Sequence, residues 1–289
     1  MSIIDFGRKV WESALTAGKV ALKSRSALRH PRGNTELPYR PAGGTVIVMG
    51  NGPSLRDVMS EQRELLMQFP RMAVNFAANA PEFFELKPQH YILADPHFFE
   101  TADSDPNVRS LWENIAKADW EITLHIPAQM KKLGERFMDK GHLRIECFNM
   151  TPAEGFDSLC HLLFRNGLAM PRPRNVLIPA IMQAMAIGYE EIYIVGADHT
   201  WPHTLYVDDR NRVVTVQPHF YKDNEEELDR VAEAYRGVHI HDVLQSMVIA
   251  FRSYHQIRKY ADKTGVKIFN ATKGSLIDAF MRKPLPDLK

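Results

Sequence analysis

The chain has 289 residues, 45% of them hydrophobic and 25% charged, the balance of a soluble globular protein large enough for one sizeable α/β domain. A formal net charge of +1 excludes a general electrostatic grip on nucleic acid, which needs a clear basic excess. No apolar run reaches the length of a spanning helix, Cys147 and Cys160 form neither a disulfide framework nor a CxxC pair, and the N-terminus lacks a secretory hydrophobic region, so a cytoplasmic location is expected.

In chain order, the first element is basic. Arg8, Lys9, Lys19, Lys23, Arg25, Arg29 and Arg32 stand against Asp5 and Glu12 in residues 1–33. Ile3, Phe6, Val10, Leu15 and Leu22 recur at roughly helical spacing beside Trp11, which predicts an amphipathic helix. Such a helix either lies on the inner face of an anionic membrane as a peripheral element or packs on the domain or on a second subunit of a homo-oligomer. His30–Gly44 is rich in Pro and Gly and reads as a linker, so residues 1–44 are expected as arm and linker and 45–289 as the catalytic domain.

Within that domain short β-rich runs alternate with helical ones. Strands are predicted at 45–50, 71–75, 90–95, 121–127, 143–149, 191–198 and 266–272, with helices at 56–68, 128–140, 175–188 and 242–263. Most of the strand runs are apolar on both faces, and the alternation predicts a doubly wound, mostly parallel α/β sheet. Residues 199–241 break the pattern: they are polar, rich in His and Tyr, and expected to form a lid.

Ligands of open parallel sheets bind outside the carboxyl ends of the strands, so the strand-ending residues are the candidates. The first strand runs into Gly50-Asn51-Gly52-Pro53-Ser54, and others end in Asn75, Asp95, Asp198-His199 and Asn270-Ala271-Thr272; Asn175 opens a predicted helix. Each Asn or Asp also suits a turn or a helix cap, but together they mark one edge of the sheet. The glycine turn lacks the lysine of a P-loop and the third glycine of a dinucleotide fingerprint. Gly50 and Gly52 would let bare amides approach a ligand, Pro53 suits a first helical turn, and Ser54 offers a hydroxyl there. That set suits a nucleotide phosphate with ribose or base contacts, and a nucleotide that leaves rather than ATP hydrolysis. His199, His203, Tyr206, His219 and Tyr221 in the insertion are the candidates for acid–base work. Asp198, His199 and His203 match no familiar metal-ligand spacing, so no metal site is expected.

GNGPSL at 50–55, Asn75, AIGYEEIYIVGAD at 186–198 and VKIFNATKGS at 266–275 together resemble the bacterial sialyltransferases of glycosyltransferase family 42 and the related central domain of Maf flagellin-glycosylation proteins. The resemblance implies a Rossmann-like, GT-A-like fold and a metal-independent, inverting transfer of a sialic-acid-like nonulosonate from a CMP-linked donor to a glycan or lipid-linked acceptor. No cofactor beyond that nucleotide-sugar substrate is implied. Asn51 and Asn75 match the asparagines that contact the nucleotide, Tyr206 the tyrosine that holds the departing phosphate, and His219 the lid histidine that acts as base, with His199 and His241 as competitors. Two positions depart from the family: Asp95 stands where a third asparagine is expected, and Thr200 where the first lid tyrosine is expected. Asp95 instead suits a Mg²⁺-dependent pyrophosphokinase of the 6-hydroxymethylpterin type, drawing on Asp95, Asp198 and Asp208. A non-catalytic nucleotide-binding protein of the same fold is the third reading.

Overall fold

The computed structural model describes residues 2–24, 44–137, 141–209, 211–215 and 237–287. Among the described residues the strands are β1 (Thr45–Met49), β2 (Arg71–Val74), β3 (His90–Ile92), β4 (Ile122–Pro127), β5 (Leu143–Phe148), β6 (Glu191–Val195), β7 (Tyr206–Val207), β8 (Val213–Val214), β9 (Lys267–Asn270) and β10 (Met281–Arg282). The longer helices are α1 (Ile3–Lys23), α2 (Ser54–Glu61), α3 (Pro106–Ala116), α4 (Asp157–Arg165), α5 (Leu177–Ile187) and α6 (Ile240–Thr264).

Eight strands form one sheet in the order β10–β9–β6–β1–β2–β3–β4–β5, and every pairing in it is parallel. This is the doubly wound α/β sheet expected from the alternation. Strand order runs outward from β1 in one direction through β2 to β5, and in the other through β6 to β10. The β1/β6 boundary is therefore the topological switch point, where loops diverge to opposite faces and open a crevice.

Side-chain alternation places a separate apolar core on each face. From β1, Val46 and Val48 join one core while Ile47 and Met49 join the other; from β6, Ile192 and Ile194 face the first and Tyr193 and Val195 the second. All of these are buried, as strands covered on both sides must be. α5 is apolar nearly all round, with nine of its residues buried, and lies against the first face beside α6.

Several boundaries differ from the sequence expectation. The helix expected at 56–68 is two pieces, divided at Gln62, whose φ of −130° interrupts the helical path. The helix expected at 128–140 shrinks in its described part to one turn, Lys131–Gly134, between 3₁₀ segments. α3 and α4 were not foreseen, although Asp105 before Pro106 is a strong start signal: its carboxylate accepts from the amides of Asn107 and Val108. In the described part of the expected lid, a short 3₁₀ turn (Trp201–Thr204) leads into an antiparallel β7–β8 hairpin. Among the described residues no helix is long and apolar enough to cross a membrane.

Candidate active site at the switch point

The glycine turn after β1 is sewn to the end of β6. The Gly50 amide donates to the Val195 carbonyl and the Gly52 amide to the Gly196 carbonyl, each at 2.8 Å. A Cβ at Gly50 would run into the Gly196 carbonyl oxygen, and one at Gly52 into the Asp198 carboxylate. These glycines are needed because two backbones touch there. One step further, the Ser54 hydroxyl donates to Asp198 Oδ2 at 2.8 Å and its amide to Oδ1 at 3.3 Å. Asp198 thus closes the N-terminus of α2 with a negative charge, the position an anion would otherwise take. This corrects the expectation of bare amides and a serine hydroxyl waiting for phosphate: the amides of Gly50, Gly52 and Ser54 and the Ser54 hydroxyl already have protein partners.

Between the two glycines, Asn51 lines the crevice. Its Nδ2 donates to the Val74 carbonyl at 3.1 Å, which orients the amide and leaves Oδ1 buried without a hydrogen-bond partner. Beside it, Asn75 takes a left-handed backbone with φ of +48°, a conformation that asparagine tolerates better than most residues, and opens a 3₁₀ turn. Asp95 Oδ1 accepts from the His97 amide at 2.9 Å, so this exposed acid caps the turn after β3 while lining the crevice.

On the opposite wall, three residues from three segments form a chain. His199 Nε2 meets the Tyr254 hydroxyl at 2.6 Å, and that hydroxyl donates to Asn175 Oδ1 at 2.9 Å. Asn175 Oδ1 also accepts from the Leu177 amide at 3.0 Å. With its oxygen doubly engaged, Asn175 leaves Nδ2 buried and without a partner. Burial pulls the His199 imidazole down to about 3 and pushes the Tyr254 phenol far up, so both are neutral at physiological pH. His199 also adopts a left-handed φ of +53°, and Trp201 packs on its ring with centroids 4.1 Å apart. Two non-glycine residues in sparsely populated backbone conformations, Asn75 and His199, line the same crevice, where such strain tends to gather.

The crevice has a volume of about 460 Å³, within the range of small-molecule sites. It brings together most of the expected residues: Gly50, Asn51, Gly52, Pro53, Asn75, Asp95, Asn175, Asp198 and His199 all line it. Sequence reasoning missed Arg174, Trp201 and Met150. Among the described residues Arg174 is the one Lys or Arg on the lining, and its side chain is exposed. The Arg-Pro-Arg-Asn run at 172–175, directly before α5, was the available signal.

Other expected residues are placed elsewhere. Asn270 and Thr272 are buried within the fold: Asn270 Nδ2 donates to Ser275 Oγ and the Ile277 carbonyl, and Thr272 Oγ1 accepts from the Ala197 amide. They hold the loop after β9 against the end of β6 and do not line the crevice, which corrects their reading as nucleotide contacts. Tyr206 sits half-exposed on the β7–β8 hairpin, opposite Val214, and is likewise absent from the lining. Asp208, on the same hairpin, is engaged with Arg212 at 2.7 Å. His199 reaches the site, but at about 3 it is a poor proton acceptor near neutral pH, and its Nε2 is engaged with Tyr254; it positions Asn175 instead. His219 and Tyr221 lie outside the described residues. Among the described residues no three His, Cys, Asp or Glu side chains gather as a metal-ligand group.

No protein-family model and no curated protein matches the sequence. Among solved structures, one similar chain is the MAf glycosyltransferase from Magnetospirillum magneticum AMB-1, with 12% identity and a TM-score of 0.49. The likeness covers 94% of this chain and 39% of that one, so this chain spans about two fifths of that protein's length.

Proposed function

We propose that the protein is a glycosyltransferase that moves a sialic-acid-like nonulosonate from a CMP-linked donor to a glycan or lipid-linked acceptor, with inversion and without a metal. One observation carries the reading. Two residues on the lining of the switch-point crevice, Asn51 and Asn175, each carry a buried polar atom without a hydrogen-bond partner, the acceptor Asn51 Oδ1 and the donor Asn175 Nδ2, and a small turn of either side chain would bring that atom to a ligand. A neutral group with adjoining donors and acceptors, such as the edge of a cytosine or the hydroxyls of a ribose, satisfies both, and relieves a desolvation cost of about 1–3 kcal/mol for each.

Arg174 is the group suited to the donor phosphate, since the amides of Gly50, Gly52 and Ser54 in the glycine turn are already engaged. In the transfer step a base takes the acceptor hydroxyl proton as that oxygen bonds to the anomeric carbon. The carbon–oxygen bond to phosphate breaks, and its electron pair leaves with CMP. Arg174 opposes the charge that grows on the departing phosphate. His219 is the base in this reading, on the strength of the family resemblance alone.

Asp95 and Asp198 both line the crevice, and this favours a second reading, Mg²⁺-dependent pyrophosphoryl transfer. Against it, Asp198 is committed to Ser54 and Asp208 to Arg212. Thermal unfolding with CMP, CDP, UDP, GDP and ATP, each with and without Mg²⁺, separates the two. Stabilisation by CMP without Mg²⁺ is expected; stabilisation by ATP with Mg²⁺ and none by CMP overturns the proposal. Release of CMP from a CMP-nonulosonate then distinguishes transfer from mere binding.

A further inference from the structure

We propose that the outward face of α1 docks on an anionic phospholipid bilayer. The helix is attached to the domain by its small and polar side. The Ser13 hydroxyl accepts from the Phe156 amide at 3.0 Å, and Thr16 Oγ1 both donates to the Glu154 carbonyl and accepts from the Glu154 amide. Ser24 Oγ donates to the Leu168 carbonyl at 2.9 Å and accepts from Asn149 at 2.6 Å. Val20 is buried between these contacts. The chain comes so close that a Cβ at Gly155 would strike the Ser13 backbone.

That arrangement is inverted relative to an ordinary surface helix, which buries its apolar stripe. At about 100° per residue, Ile4, Trp11, Leu15 and Leu22 fall within roughly 40° of one another on the side away from the domain. Their exposures are 83%, 65%, 43% and 70%, and Ile3 and Val10 widen the stripe, while Phe6 turns to the domain and meets the Phe156 ring with centroids 5.6 Å apart. Arg8, Lys19 and Lys23 run along one border, interleaved with Asp5 and Glu12.

Charge identifies the occupant. Residues 1–33 hold seven Lys and Arg against two acids, a balance of 7 − 2 = +5, while the whole chain is +1; the remaining residues therefore carry 1 − 5 = −4. Within α1 itself Arg8, Lys9, Lys19 and Lys23 against Asp5 and Glu12 give 4 − 2 = +2, and Arg25, Arg29 and Arg32 follow it in sequence, so an anionic surface attracts this end of the chain and repels the rest. A second copy fits less well: a stripe about 32 Å long and about 10 Å wide offers roughly 300 Å² per partner, against about 800 Å² in a stable interface. Ser24 and its partners Asn149 and Thr151 flank Met150, which lines the crevice, so docking would fix the crevice mouth relative to the bilayer. The surface stands whether or not the crevice transfers a sugar.

The full chain is pelleted with vesicles of phosphatidylcholine alone or with about one third phosphatidylglycerol. Binding to the anionic vesicles is expected, about ten-fold weaker on neutral ones and weakened by salt. The double variant Trp11→Glu/Leu22→Glu should lose at least about ten-fold in binding with an unchanged melting temperature, since both side chains are exposed. Failure to pellet, equal pelleting of variant and parent, or a dimer in light scattering that the same variant dissolves would each overturn the proposal.

Discussion

Ser54 and Asp198, 144 residues apart in sequence, meet at 2.8 Å, and through them the loop after β6 closes the helix that the glycine turn begins. The pair turns a would-be anion cradle into a structural lock. Asp198→Ala removes both of its bonds to Ser54 and leaves the α2 N-terminus without its charge, for an expected loss of about 1–2 kcal/mol. Urea unfolding checks this, with Asp198→Asn recovering part of the loss because an amide oxygen still accepts. Nearby, Gly50→Ala forces two backbones apart and should cost about 1–3 kcal/mol with the cap intact.

The Tyr254 hydroxyl is the pivot of the other wall. Tyr254→Phe strips His199 Nε2 of its partner and frees the Asn175 amide to rotate. Stability should fall by about 1–3 kcal/mol, and the affinity for CMP about ten-fold, since the Asn175 amide on the crevice lining loses one of the two bonds that fix it. Titration calorimetry beside urea unfolding reads both effects. A stability loss with unchanged CMP affinity would remove Asn175 from the nucleotide site.

Much of this was legible in the residues, and the limits were physical. The parallel sheet followed from runs such as TVIVM and EIYIV, whose two apolar faces require helices on both sides, and the site followed from which residues end the strands. Pattern alone could not tell a residue that ends a strand facing the crevice from one that ends it facing inward. Asn51 and Asn270 occupy equivalent places in sequence, yet Asn270 is spent on Ser275 and Ile277 while Asn51 keeps an acceptor free. Nor could it show that glycines at 50 and 52 serve a backbone contact with Gly196, because that neighbour is distant along the chain. Arg174 and Tyr254 were missed for the same reason: an arginine after a proline and a tyrosine in a long helix carry no local mark of facing a ligand.

Arg174 should separate charge from shape. Arg174→Ala is expected to weaken CMP binding about ten-fold while leaving cytidine binding nearly unchanged, since only the nucleotide carries phosphate. Arg174→Lys should recover part of the loss, because the charge stays while the forked geometry goes. Its side chain is exposed, so the melting temperature should stay within about a degree of the parent. Calorimetric titrations of CMP and cytidine into the three proteins decide it; equal losses for both ligands would place Arg174 on the base or ribose instead.

Two buried imidazoles make the fold sensitive to acid. His90 contacts His125 at 3.1 Å and the Tyr189 hydroxyl at 3.0 Å, and burial holds it at about 4; His199 is held at about 3. In the unfolded chain both take up a proton near 6.5, so below that pH the unfolded state binds more protons than the fold. Their contribution is therefore complete above pH 6.5 and is lost as pH falls toward 4 for His90 and toward 3 for His199. At pH 5 each has lost about 2 kcal/mol, at about 1.4 kcal/mol per unit below 6.5. Carboxylates titrate over part of the same range, so the informative quantity is a difference between variants. Urea unfolding at pH 7.5 and 5.0 should show a decline in His90→Gln that is smaller than the parent's by about 2 kcal/mol, because glutamine has no proton to gain. An identical decline in both proteins would mean that the His90 imidazole is already charged in the fold, or that acid opens the core at another residue first.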